Sequence, residues 1–231
     1  MARMRMGVAR GVTAAVILMV MEHQAVAADL AQPASVPLAG ASVTEAPSPW
    51  QIRLRALGVV TEDSGYVNAV PGSGLSYSNT VTPELDISYF FTDNIAAELI
   101  LGTTYANIEG QGAIGGLGNI GKVWLLPPTL TLQYHFTDFG AFKPYVGAGV
   151  NYTIFYNQDA GSADALHVKN TFGTALQVGF DYMVDQHWGV NFDVKKVFLK
   201  PDFDVTVDGA KLTGKADLDP WLIGAGVTYR F

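Results

Sequence analysis

Charged residues spaced two apart inside otherwise apolar segments are the residues of this sequence most able to do chemistry. Examples are the pairs Arg53 and Arg55, and Glu84 and Asp86. Residues two apart share one face of a β-strand, so each pair projects to the same side. The complete set with this inward parity is Arg53, Arg55, Glu84, Asp86, Glu98, His135, Asp181, Asp193, Lys195 and Arg230. Because isolated buried ions are costly, we expect these groups to pair in one ionic network.

Apolar residues occupy the same inward parity further along the same segments. They are Leu57, Val59, Ile100, Leu125 and Leu222. Two interpretations stay open for them: a pocket for an apolar ligand, or ordinary filling of a narrow interior. Pro127 and Pro128 follow Leu125 closely and lack backbone donors, so they mark either a lateral opening in a sheet or a strand boundary.

Catalysis finds no support in the residue pattern. The chain lacks the Gly-x-Ser-x-Gly motif, and its histidines and carboxylates show no metal-ligand spacing. Only His135 has inward parity among the histidines, and it fits the ionic network better than a catalytic dyad. We therefore expect a protein that is not an enzyme and has no cofactor or metal.

Strand-like alternation of apolar and polar residues recurs eight times after residue 49. The segments lie near residues 50–60, 82–91, 95–105, 123–136, 143–156, 171–183, 188–199 and 221–231. Each is long enough to cross a bilayer as a tilted strand. Lys196 alone conflicts with this pattern, since it has lipid-facing parity and requires a β-bulge or snorkelling to the headgroups.

The connections alternate between short and long. Tight turns that contain aspartate lie at 92–94, 137–140 and 185–187, and the long connections are 61–81, 106–122, 157–170 and 200–220. Short periplasmic turns and long extracellular loops are typical of outer-membrane barrels. The predicted fold class is all-β, an eight-stranded antiparallel transmembrane β-barrel of the outer-membrane type.

The last strand carries a further signal. Residues 221–231 alternate between an apolar and a small or polar face and end on Tyr229 and Phe231. A terminal strand of this kind resembles the signal that the bacterial barrel-assembly machinery reads. The alternative is an amphipathic edge strand of a soluble β protein.

The N-terminus has the features of a secretory leader. Arg3, Arg5 and Arg10 precede a short apolar run, and Ala27 and Ala28 form a small-residue cleavage site. We predict a signal peptide at 1–28, an extended periplasmic lead-in at 29–49 and the barrel at 50–231. The mature chain would therefore reside in the outer membrane of a Gram-negative bacterium.

The composition limits the classes of partner that the chain can bind. The chain has a formal net charge of −7, which argues against nucleic-acid binding, and no cysteine, which excludes disulfides. We expect a monomer that contacts outer-membrane lipid and lipopolysaccharide, the barrel-assembly machinery and small hydrophobic ligands.

Several motifs together resemble the outer membrane protein W (OmpW) family. They are WQIRLR at 50–55, PELDISYFFTDNIAAE at 83–98, LPPTL at 126–130, QYHF at 133–136, KPYVGAG at 143–149 and WLIGAGVTYRF at 221–231. The resemblance implies a narrow barrel that passes small hydrophobic molecules across the outer membrane. With the prolines, it predicts a channel with lateral exit into the bilayer. The alternative is a structural or adhesive barrel without transport.

Overall fold

The computed structural model describes residues 48–62 and 64–231, most of them in β-strands. The predicted signal peptide and residues 29–47 of the predicted lead-in lie outside these described residues. The strands are β1 (Trp50–Val60), β2 (Ser64–Val67), β3 (Ser73–Tyr77), β4 (Thr80–Phe90), β5 (Ile95–Gly102), β6 (Thr104–Gly112), β7 (Asn119–Leu126), β8 (Thr129–His135), β9 (Phe142–Ala160), β10 (Ala165–Val168), β11 (Thr171–Met183), β12 (Trp188–Phe198), β13 (Asp202–Val207), β14 (Ala210–Asp217) and β15 (Trp221–Arg230). A 3-10 turn at Gly115–Leu117 precedes β7.

Eight of these strands close into an antiparallel barrel. Their order around the wall is β1, β4, β5, β8, β9, β11, β12 and β15, and β15 pairs back onto β1. The first and last strands meet along their whole length, from Gln51 opposite Arg230 to Val60 opposite Trp221. The predicted fold is therefore confirmed: the sheet closes on itself, and closure gives each alternating strand one face toward the interior and one toward the outside.

Two of the predicted strands are divided. The segment predicted at 123–136 is β7 and β8, which are separated by Pro127 and Pro128. The segment predicted at 95–105 is divided at Thr103 into β5 and β6. Prolines donate no ladder hydrogen bond, so pairing with the neighbouring strand stops at this level. The wall is thus interrupted on two neighbouring strands at the same height.

The long connections form an ordered extension above the barrel. Strands β6 and β7 continue outward as a hairpin, and β9, 19 residues long, follows them. A separate antiparallel sheet has the order β10, β13, β14 and β2. The four segments identified from the sequence as loops are therefore largely β-structure, and their apolar faces pack together into a buried cluster.

The outer surface of the barrel is apolar. Exposed side chains around the wall include Leu54, Leu85, Leu130, Leu132, Val146, Val178, Phe192, Ile223 and Val227. This band matches the lipid-facing surface of a transmembrane barrel. Within the described residues, no helix is long and apolar enough to cross a membrane.

Lys196 has lipid-facing parity, but its side chain extends toward the extracellular end of the barrel. Its Nζ lies 2.5 Å from Glu62 Oε1 and 2.5 Å from the Asp219 carbonyl oxygen, with the Trp221 ring 4.9 Å away. Pairing of β12 with both neighbours continues through this residue without a bulge. Snorkelling, the second of the two predicted solutions, is the one adopted.

Tight turns close the opposite end of the barrel. In the turn before β12, the backbone N–H groups of Trp188 and His187 donate to Asp185 Oδ1, each at 2.7 Å. These two donors hold the pKa of Asp185 below its ordinary value, because they stabilise the ionised carboxylate. The Asp185 side chain thus stabilises this turn by accepting hydrogen bonds from its backbone.

Candidate functional site

The lower lumen is filled by polar side chains, which the alternation of five barrel strands directs inward. Strand β1 contributes Arg53 and Arg55, which lie opposite Asp86 and Glu84 of β4. Strands β5, β11 and β12 contribute Glu98, Asp181, Asp193 and Lys195, all buried like the first four. We call these eight residues the ionic layer.

Arg53 joins two carboxylates from opposite sides of the barrel. Its guanidinium pairs with Glu98 and, through two nitrogens, with Asp181, at 2.6 Å from Nη2 to Oδ2 and 3.0 Å from Nε to Oδ1. The Ser88 hydroxyl accepts a further hydrogen bond from Nη1 at 3.1 Å. This two-nitrogen geometry fixes the guanidinium plane across the lumen.

Arg55 and Lys195 share the remaining carboxylates. Arg55 Nη2 lies 2.5 Å from Asp86 Oδ2 and 2.8 Å from Glu84 Oε1. Lys195 Nζ lies 3.0 Å from Glu84 Oε1 and 2.7 Å from Asp193 Oδ1. The structure therefore brings together all eight residues of the ionic layer.

Uncharged residues also bond to the layer, and the sequence-based network lacked them. Gln177 Nε2 donates to Glu98 Oε1 at 3.0 Å and to Asp193 Oδ2 at 2.8 Å. The Tyr145 hydroxyl donates to Asp193 Oδ2 at 3.0 Å, and Asn191 Nδ2 donates to the Tyr145 oxygen at 3.1 Å. Strand parity would have found them, but restricting the network to ionisable groups with an obvious partner omitted them.

His135 joins the ionic layer through two amides: its Nε2 lies 2.9 Å from Gln133 Oε1, and Gln133 Nε2 donates to Gln177 Oε1 at 3.0 Å. Arg230 lies below the layer. Arg230 is a correction: among the described residues it makes no ion pair, and its guanidinium lies 4.2 Å from the centroid of the Phe90 ring. Phe90, His135 and Tyr145 stack at 4.8 and 4.9 Å between ring centroids. Arg230 lies near the end of β15 and is only half buried, so it needs a carboxylate partner less than the deeper cations do. This aromatic stack lies toward the periplasmic end of the lumen.

An apolar cavity lies directly above the ionic layer. Leu57, Val59, Ile100, Leu125 and Leu222 all line it. Glu84 and Lys195 of the ionic layer also border this cavity, so its lower boundary is charged. We call it the inner cavity. The structure thus places the five predicted apolar residues around one space.

A second apolar cavity lies within the extension above the barrel. We call it the outer cavity. Residues that line it include Val67, Leu75, Ile108, Ile120, Phe203 and Val205. The sequence analysis predicted loops for these segments. The alternation of Phe203, Val205 and Val207 nevertheless indicates a strand with one buried face.

The barrel wall beside the inner cavity has a gap in its backbone ladder. Ile100 pairs with Thr129 and Thr104 pairs with Leu125, but residues 101–103 and 126–128 between them do not pair across this boundary. On the other side, Tyr152 N donates to the Pro128 carbonyl at 3.0 Å, which keeps that boundary closed. We call the unpaired stretch the wall gap.

Side chains alone cover the wall gap. Thr103 and Pro127 both line the inner cavity, and Thr103 is the one exposed residue among those that line it in the described chain. The Thr103 hydroxyl donates to the Leu125 carbonyl at 3.1 Å and lies 2.5 Å from the Tyr156 hydroxyl oxygen. The inner cavity therefore meets the outer surface of the wall at Thr103.

Tyr229 and Phe231 belong to an aromatic group at the periplasmic rim. The Tyr229 ring contacts the Trp188 ring at 4.8 Å and the Phe231 ring at 4.9 Å between centroids. Phe231 N donates to the Trp50 carbonyl at 3.2 Å, so the terminal residue is held against β1. Their predicted role in assembly stays a prediction.

Comparison with known proteins also identifies outer-membrane proteins. The OmpW family model matches residues 50–231. The uncharacterized outer-membrane protein y4mB of Sinorhizobium fredii (strain NBRC 101917 / NGR234) is 68% identical, over 90% of each chain. The dibenzothiophene metabolism operon protein PahQ of Pseudomonas aeruginosa is 32% identical, over 80% of this chain and 89% of its own. The crystal structure of the outer membrane protein OprG from Pseudomonas aeruginosa superposes with a TM-score of 0.73 at 25% identity, over 80% of this chain and 97% of OprG.

Proposed function

Because the chain belongs to the OmpW family of outer-membrane proteins, we propose that it passes small hydrophobic molecules across the outer membrane and releases them sideways into the bilayer. The observation that carries this proposal is the inner cavity, an apolar space that is closed below by charge and bounded at one side by the wall gap. A molecule in this cavity has access from the extracellular extension above.

The ionic layer makes a straight path to the periplasm unfavourable for such a molecule. An apolar solute moving downward would separate buried ion pairs without offering them any polar partner, and unpaired buried charges are expensive. The stack of Phe90, His135 and Tyr145 obstructs the same path further down. Release through the wall gap avoids both obstacles and leads directly into hydrocarbon.

The gap is suited to release because little backbone holds it closed. Pro127 and Pro128 lack N–H groups, so opening it breaks no ladder hydrogen bond from these residues. A relative supports the kind of molecule proposed: PahQ is named for dibenzothiophene metabolism, which concerns an apolar fused-ring compound. Outer-membrane lipid would then receive the released molecule as well as surround the barrel.

Replacing Pro127 with Val and Pro128 with Thr tests the lateral route. The two new N–H groups and the higher strand propensity should extend the ladder across the gap, so uptake of a hydrophobic probe such as n-octane should slow several-fold. Pro144→Val is the matched control, since Pro144 is a half-buried proline of β9 that lines neither cavity. Unchanged uptake in a correctly inserted double variant would exclude the lateral route.

Leu57→Asp tests the cavity itself. A carboxylate in the apolar lining should lower the affinity for a fluorescent apolar probe, N-phenyl-1-naphthylamine, by at least about tenfold. Heat-modifiable migration on gels should confirm that the variant folds. If neither this variant nor the proline replacement alters probe binding or uptake, a structural or adhesive barrel without transport takes precedence.

A further inference from the structure

We propose that Ala106 sets the width of the passage between the outer and inner cavities, and thereby the largest cross-section of apolar molecule that the protein admits. This inference rests on the transport function proposed above and assigns its size selectivity to one side chain. No part of it depends on the wall gap, through which molecules would leave.

The two cavities adjoin at three residues. Ala106, Leu125 and Leu218 line both of them, and all three are buried, with exposed fractions of 5, 8 and 5%. Ala106 belongs to β6, Leu125 to β7 and Leu218 to the segment that precedes β15. We call these three residues the neck, since a molecule that moves from one cavity to the other passes between them.

Backbone pairing holds each side of the neck in place. Ala106 lies opposite Val123 in the β6–β7 ladder, and Leu125 is paired on both sides, with Thr104 and with Phe155. Leu218 N donates to the Leu199 carbonyl at 3.1 Å, and its own carbonyl accepts from Glu62 N at 3.1 Å. Because all three positions are fixed by hydrogen bonds, the sizes of the side chains, not backbone movement, determine the opening.

Ala106 is the smallest of the three side chains and therefore the one that leaves space. The leucines on the other two sides are apolar and offer no hydrogen bond, so this neck distinguishes molecules by shape alone. A linear hydrocarbon is narrower than a fused-ring aromatic one. A larger side chain at position 106 should consequently exclude the fused-ring molecule first.

The test compares Ala106→Leu with Ala216→Leu. Ala216 is equally buried, at 6%, but it lines the outer cavity only, so the same atoms are added away from the neck. Cells that carry each variant are given n-octane or phenanthrene, and initial accumulation is measured against cells with an empty vector. Ala106→Leu should lower phenanthrene uptake at least about tenfold more than octane uptake, as steric discrimination in apolar pockets allows. Ala216→Leu should leave the ratio of the two rates near that of the wild type.

The outcomes separate the two proposals. Wild-type cells no faster than empty-vector cells with either probe would contradict the transport function itself. Wild-type transport combined with an unchanged octane-to-phenanthrene ratio in Ala106→Leu would overturn the assignment of the neck, as would an equal change in Ala216→Leu. Ala106→Val, a smaller addition, should give an intermediate ratio and replaces the leucine variant if that one fails to insert.

Discussion

At the residue scale, the ionic layer distributes its bonds unevenly. Arg55 lies near four carboxylates, at distances from 2.5 to 3.9 Å, whereas Arg53 pairs with two in the described part of the chain, Glu98 and Asp181. Glu98 also accepts hydrogen bonds from Ser88 and Gln177. Removing Glu98 therefore leaves more buried donors without a partner than removing Asp86, whose only cation within 4 Å among the described residues is Arg55.

Glu98→Leu should accordingly destabilise the barrel more than Asp86→Leu. Breaking a buried ion pair costs about 3–5 kcal/mol of stability. We take this range as an upper limit for Glu98→Leu, because Arg53 would still pair with Asp181. Asp138→Leu, the same change type at an exposed turn residue, should shift stability little. Unfolding midpoints in detergent measure all three, and midpoints equal to that of the wild type would show that water already solvates these carboxylates.

At the element scale, the terminal strand combines two roles. In the folded barrel β15 pairs with β1 and with β12, so it closes the wall. Before folding, its alternating face and final aromatic residue would be available to the assembly machinery. Burial of the Phe231 ring contributes little to the stability of the folded barrel, since 49% of the residue is exposed.

Deleting Phe231 should therefore reduce outer-membrane insertion far more than Phe198→Ala. Phe198 ends β12 and is 43% exposed, so it matches Phe231 in exposure but is not the terminal residue. Cell fractionation followed by quantification of heat-modifiable protein measures insertion. Equal membrane levels of the two variants would contradict a role of the terminal aromatic residue in assembly.

At the scale of the whole molecule, the lumen is divided by height. Two apolar cavities occupy the extracellular side, and the ionic layer with the aromatic stack fills the periplasmic side. A barrel of eight strands has room for little more than its own side chains. We therefore expect no water-filled passage from end to end.

The intact protein in a planar bilayer should consequently conduct ions only weakly. Tyr145→Ala, which removes a ring that contacts both His135 and Arg53, should raise the conductance relative to the wild type. Single-channel recording in a salt solution without apolar additives measures this. A large, steady wild-type conductance would indicate an open aqueous pore and argue against the layered lumen.

The sequence alone determined the number of barrel strands, their inward faces and most of the ionic layer. These features depend on a two-residue period, which is set locally by strand geometry, and on the rule that buried charges must pair. For this reason β1 and β11 have the predicted bounds, and Arg53, Glu84, Asp86 and Asp193 all meet in the lumen.

The tertiary structure alone decided the extension, the neck and the place of Arg230. Each depends on contacts between residues far apart in the chain, such as Glu62 with Leu218 and Asn68 with Thr213. Short strands in long connections carry too few alternating residues to fix a register, so no local pattern specifies which partner each will meet. The two cavities arise from those long-range pairings, and with them the passage bordered by Ala106.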